Sequence, residues 1–123
     1  MGLFRDPRSS HLQRAFADLR EAIRSPKDTG FFCYRAIESL RQFFVVELNA
    51  PDKQSWEVLR TALQIDRPTI DYVKTFADSA RHGAGAAISD GERAEVFKKT
   101  WSIVGQFVEF AKRGYRALEG QDD

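Results

Sequence analysis

The residues best suited to chemistry lie close together, at Lys74, Asp78, Arg81 and His82, just ahead of the break Gly83-Ala84-Gly85. On a helix these positions fall at i, i+4 and i+7 or i+8, so they share one flank. Asp78 is within reach of both Arg81 and His82. A carboxylate beside an imidazole fixes its tautomer and favours its protonated form, as acid–base chemistry requires. Arg81 suits a phosphate or an oxyanion. The chemistry that fits is metal-independent cleavage of RNA, with the 2′-hydroxyl as nucleophile. His82, Arg81 and Asp78 would then be catalytic, and Lys74 and Arg81 would hold phosphate. A second reading needs no substrate. A cation in a helix's last turn, followed by Gly at C′, ends the helix and complements its dipole, and Asp78 with Arg81 is then a surface ion pair.

Other site chemistries find little support. Two histidines and the single Cys33 show no His-x3-His or Cys-x2-Cys spacing, so no metal site and no cofactor is expected. Gly83-Ala84-Gly85 has neither a preceding strand nor a Lys-Ser/Thr ending, so it is not a phosphate loop. Glu38 and Glu47 do not form the Glu-x-x-His set of a di-iron bundle. Lys98, Lys99, Lys112, Arg113 and Arg116 read as a solvated face. Cys33 sits in an apolar run and reads as a buried thiol.

The elements that must position Lys74 to His82 are helices. With 123 residues, 42% of them apolar and ten of them Phe, the chain is long and apolar enough for one domain with a real core. The 19 basic and 18 acidic side chains nearly cancel, so net charge makes no case for nucleic acid or a membrane, although a local basic patch is compatible with it. The opening residues lack a signal peptide's apolar region, and no run approaches a membrane span, so a cytoplasmic protein is expected. Residues 1–8 are expected to be a loose leader and 120–123 a polar tail.

Leu12, Phe16, Leu19 and Ile23 form one helical stripe, capped by Ser9 or Ser10. A break at Ser25 to Gly30 leads to the densest apolar segment, Phe31 to Leu48, expected to be the central helix. Its stripes are Cys33, Ile37, Leu40, Phe44, Leu48 and, beside it, Phe32, Ala36, Phe43, Val46. Asp52 opens a third helix with Trp56, Leu59 and Leu63 on one face. Asp66 and Pro68 start a fourth, which buries Ile70, Val73, Ala77 and Ala80. Ser89 and Glu92 make a capping box for the fifth. Its main stripe runs Phe97, Trp101, Val104, Val108, Ala111, Tyr115, Leu118, with Val96, Thr100, Ile103, Phe107 and Phe110 alongside. Such a helix is roughly 40 Å long at 1.5 Å per residue. Either part of it projects into a partner, with Phe107, Phe110 and Tyr115 as the exposed docking positions, or it spans the bundle. No strand pattern and no internal repeat is visible. The expected fold is all-α, an antiparallel bundle of about five helices.

The run Gly30-Phe31-Phe32-Cys33-Tyr34-Arg35-Ala36-Ile37-Glu38-Ser39-Leu40, followed by Arg81-His82-Gly83, Arg93 and Thr100-Trp101-Ser102-Ile103-Val104, resembles HEPN domains over about residues 30–111. The resemblance implies a helical bundle, a homodimer, and a place in prokaryotic RNA-linked or defence-related regulation. Active HEPN domains cleave RNA without metal, using an Arg and, after four to six intervening residues, a His, with two subunits completing the site. His82 matches the His. Thr75, Phe76 and Ala77 stand where the Arg belongs, Lys74 lies one residue too early, and Arg81 is adjacent to His82. The resemblance therefore implies a non-catalytic or weakly active module that binds RNA or a protein partner.

Overall fold

In the computed structural model, residues 6–81 and 88–117 are described, and side chains 78–81 lie outside that description. Five α-helices follow in order: α1 (Ser10–Arg24), α2 (Thr29–Val46), α3 (Ser55–Leu63), α4 (Arg67–Arg81) and α5 (Asp90–Lys112). Short 3-10 turns at Pro7–Ser9, Pro26–Asp28 and Asp52–Gln54 lead into α1, α2 and α3. Among the described residues there is no strand.

The expectation of a central α2 holds, since it packs against all four other helices. Its Cys33, Ala36, Ile37, Leu40, Phe43 and Phe44 are all fully buried. Phe43 meets Phe44, Phe107 and Phe110 edge-on at centroid distances of 5.3, 5.3 and 5.7 Å, the T-shaped geometry that aromatic quadrupoles favour. α1 closes one side with Leu12, Ala15, Leu19 and Ala22, which recur at helical spacing.

Two local contacts fix how the ends of α2 and α5 meet the bundle. A Cβ on Gly30 would lie 2.8 Å from the backbone carbonyl carbon of Phe76, so α2 approaches α4 where only hydrogen fits. Arg93, at the start of α5, reaches over the α1–α2 junction. Its guanidinium donates to Thr29 Oγ1 (2.8 Å) and to the carbonyls of Ile23 (3.2 Å) and Ala22 (3.4 Å), placing a cation at the negative end of α1. Thr29 in turn donates to the Ala22 carbonyl at 2.8 Å.

The expected side-chain caps form at the starts of α4 and α5; Ser9 before α1 makes no side-chain cap bond, and Gln54, not Asp52, stands at the cap of α3. Asp66 accepts from the Thr69 amide at 3.0 Å. Hydrogen bonds from the Thr69 side chain and backbone hold the Asp66 carboxyl below its usual pKa. Ser89 and Glu92 form the reciprocal capping box at the head of α5. In the segment expected to be loose, Asp6 caps the Pro7–Ser9 turn. Arg8 there lies 4.2 Å from the Tyr115 ring centroid.

The end of α5 departs from expectation. The helix stops at Lys112 because Gly114 (φ 73°) and Tyr115 (φ 64°) take left-handed conformations. Their amides bond back to the carbonyls of Ala111 (3.0 Å) and Phe110 (2.9 Å), a standard helix stop. The turn lays Tyr115 on Phe43, with centroids 4.8 Å apart and planes at 22°. Leu118 lies outside the described residues. Phe107 and Phe110, expected as exposed docking positions, are core residues at 0% and 1% exposure, and Tyr115 is half-buried. Trp101 is the large apolar side chain of α5 that stays exposed.

Candidate functional site

Lys74 lies on the exposed side of α4, two turns after Arg67. Both line a cleft of about 260 Å³ between α2, α3 and α4. Lys53, Trp56, Glu57 and Arg60 line its α3 side, Tyr34 comes from α2, and Arg67, Ile70, Asp71 and Lys74 come from α4. Buried Ile70 belongs to the hydrophobic core, so the cleft's wall is part of the folded frame.

The cleft has an aromatic wall. Tyr34 and Trp56 stack with centroids 5.8 Å apart and planes at 19°. The Arg41 guanidinium sits 5.1 Å from the Trp56 centroid. Arg41 is held there by donation to Ser55 Oγ (2.9 Å) and Asp52 Oδ1 (3.3 Å), and the Ser55 hydroxyl donates to the Asp52 carbonyl at 2.7 Å. The Trp56 ring thus stacks on a second aromatic ring and lies within cation–π range of a held guanidinium.

Its electrostatics are one-sided. Lys53, Arg60, Arg67 and Lys74 face two carboxylates, Glu57 and Asp71. Asp71 is paired with Arg67 at 3.5 Å. Among the described residues, Lys53, Arg60 and Lys74 have no carboxylate within ion-pairing distance. Clustered cations without counter-charges favour an anionic ligand, most of all one carrying several charges. The cleft is smaller than the ~300–1,000 Å³ typical of metabolite pockets. Its shape suits a chain laid across it better than a small molecule enclosed within it.

The structure brings Lys74 together with residues that sequence reading left apart. Asp78 and Arg81 have helical backbone in the last turn of α4, their side chains lie outside the description, and His82 lies outside the described residues. Arg81 is about 10 Å further along the axis than Lys74 at 1.5 Å per residue. The sequence did carry a signal for the cleft: Arg67 and Lys74 are spaced by seven, which places them on one face of α4. The cations of α5 do not join them. Lys99 pairs with Glu95 (3.2 Å), and Lys112 with Glu109 (3.5 Å). Arg116 donates to the Arg113 carbonyl.

Several positions singled out in the sequence have packing roles. Gly30 permits the α2–α4 approach, and Arg93 tethers α5 to α1. Burial pushes the Cys33 thiol up to about 11, so it is protonated and inert near neutrality. His11 is also buried, with Nε2 3.1 Å from Glu47 Oε2 and its ring edge-on to Phe43. Among the described residues, no group of three or more His, Cys, Asp or Glu side chains could hold a metal ion. No helix among them is long and apolar enough to cross a membrane.

A family model described as "Domain of unknown function (DUF8168) C-terminal domain" matches residues 5–112. The chain belongs to the DUF8168 C-terminal-domain family. No curated protein and no solved structure matches it. All five helices and every cleft residue fall within the DUF8168 match.

Proposed function

We propose that this DUF8168 domain is a HEPN-like, non-catalytic module that binds single-stranded RNA through the α2–α4 cleft, in cytoplasmic RNA-linked or defence-related regulation. The observation that carries the proposal is the set of cations Lys53, Arg60 and Lys74, which have no ion-pair partner among the described residues, around the stacked Tyr34–Trp56 pair. Cations that track a backbone, with an aromatic face on which a base can stack, are the two parts of a single-strand site. Arg67 and Lys74 lie about 10 Å apart along α4 at 1.5 Å per residue.

The absence of catalysis rests on the positions where a HEPN Arg would stand. Ala77 is 3% exposed, and Phe76 is half-buried over Gly30. An Arg at 77 would need a buried charge, which costs far more than the packing it replaces. Thr75 bonds back to the Asp71 carbonyl.

The test is binding of a short fluorescent single-stranded RNA across a salt series in chelator. Neutralising three or four phosphates gives a slope of roughly −2 to −3 in log K against log salt. Arg60→Ala with Lys74→Ala is expected to weaken binding at least tenfold and to flatten the slope by about 1.4. Trp56→Ala is expected to cost ~1–3 kcal/mol. RNA should stay intact. No binding at low salt, or unchanged binding by the double variant, would reject the cleft. Cleavage in chelator that is lost in His82→Ala would replace this reading with a metal-independent ribonuclease.

A further inference from the structure

α3 also borders a separate pocket, of which the RNA reading makes no use. The pocket holds about 610 Å³ between α3, the end of α2 and the turn after α5. That volume falls within the ~300–1,000 Å³ of small-molecule sites, where the cleft's does not. Its floor is Phe44, Phe110 and Ala62, all buried, with the two rings 5.4 Å apart. Tyr115 forms a wall and is held by its stack on Phe43, so the wall stands without a ligand. Leu48 also lines the pocket and is exposed, an apolar surface left facing water. Gln54, Glu57 and Thr61 line it at spacings of three and four, which gathers polar groups along one face of α3. Among the described residues that line the pocket, Glu57 is the only charged one. It has no ion-pair partner among the described residues.

We propose that this pocket binds a small amphipathic cation, an apolar or aromatic body that carries one amine or guanidinium group. The body lies on Phe44 and Phe110 and covers Leu48, and the charge is met by Glu57. Burial of apolar surface supplies most of the affinity, and the single carboxylate sets the sign of the charge that is accepted. An anion of the same shape would face Glu57 with nothing in the lining to neutralise it. The cleft on the neighbouring face of α3 has the opposite character, since cations outnumber carboxylates there. Glu57 lines both and stands at the boundary between them. The proposal does not rest on RNA binding by the cleft.

Methyl NMR titrations of the full chain with three probes of one shape test this: phenylbutylamine, phenylbutanol and phenylbutyrate, near neutral pH. The amine is expected to bind at about 1 mM, roughly threefold tighter than the alcohol, with the acid weakest. The Leu48 and Val58 methyl signals should move with the amine. Glu57→Gln should bring the amine down to the level of the alcohol, and Glu57→Lys should make the acid the tightest of the three. Thr61→Phe, which adds a ring from an exposed position at the pocket, should weaken all three. Melting curves of the variants confirm that each is folded. Arg60→Ala with Lys74→Ala, which disables the RNA cleft, should bind the amine at least as well as the wild type, so the two proposals fail separately. No methyl shift with any probe up to about 10 mM would overturn the proposal. So would equal affinities for amine and acid, or amine binding that leaves Leu48 and Val58 unmoved and is indifferent to Thr61→Phe.

Discussion

Asp18 shows how one buried charge sets a pH dependence. It projects from α1 into the α1–α2 interface with 9% of its surface exposed, and its ion-pair partner is Arg35 Nε at 3.5 Å. Arg35 is itself mostly exposed, so water screens the pair. Burial raises the Asp18 pKa, and the opposing pull of Arg35 does not cancel it. A carboxyl whose folded pKa lies above its unfolded value binds protons more tightly in the native state. Stability then falls as pH rises from the unfolded pKa through the folded one. Asp18→Asn is therefore expected to be more stable than the wild type at pH 7, with the difference closing as pH drops below the usual carboxylate range. Thermal melts at pH 7, 5 and 3.5 measure this. A variant less stable at pH 7 would show that the Arg35 pair outweighs the cost of burial.

At the scale of elements, the periodic pattern located all five helices, and the errors concern which apolar positions are buried. Ile23 and Leu48 complete stripes in the sequence yet are 59% and 46% exposed. Ile23 lies in the last turn of α1, and Leu48 lies beyond the end of α2. On α5 the stripe read as secondary is the buried one. Periodicity reports that an apolar arc exists but not which part of a wide arc faces the core. Gly114 was legible as a helix stop from its type alone, but the apolar Tyr115 just beyond suggested that the helix continued. Close approach between backbones leaves no periodic trace, and Gly30 is the example. Gly30→Ala should destabilise the fold by about 1–3 kcal/mol, because the new methyl meets the Phe76 backbone and not a side chain that can swing away. Gly105→Ala, into open space, should instead stabilise the fold by ~0.5–1 kcal/mol. Urea midpoints of the two variants with matched m-values make the comparison. Equal effects would mean that helix propensity, and not the α2–α4 contact, governs both.

For the whole molecule, the candidate site was half legible. Lys74 was read as a phosphate ligand from α4 alone. Tyr34, Trp56 and Lys53 come from other helices, and only the packing of α3 and α4 against α2 brings them beside it. The cleft therefore depends on the core, whose Ile70 forms part of its wall. Phe43 links that core widely, meeting His11 of α1, Phe107 and Phe110 of α5, and Tyr115 beyond it. If the five helices share one core, the cleft and the α5 face must be lost in a single transition. The two tryptophans report on these places separately: Trp56 in the cleft, Trp101 on α5. Single-tryptophan proteins made by Trp101→Phe and Trp56→Phe should then follow urea unfolding with coincident midpoints, once each is referenced to far-ultraviolet circular dichroism of the same variant. Adding Phe43→Leu to either should move its fluorescence and dichroism midpoints down together, by about 1–3 kcal/mol. If Trp56 fluorescence changes at lower urea than the helical signal, the α3–α4 side opens independently of α2. RNA binding by the cleft would then include a local ordering cost, and affinity would rise with any variant that stabilises that side alone.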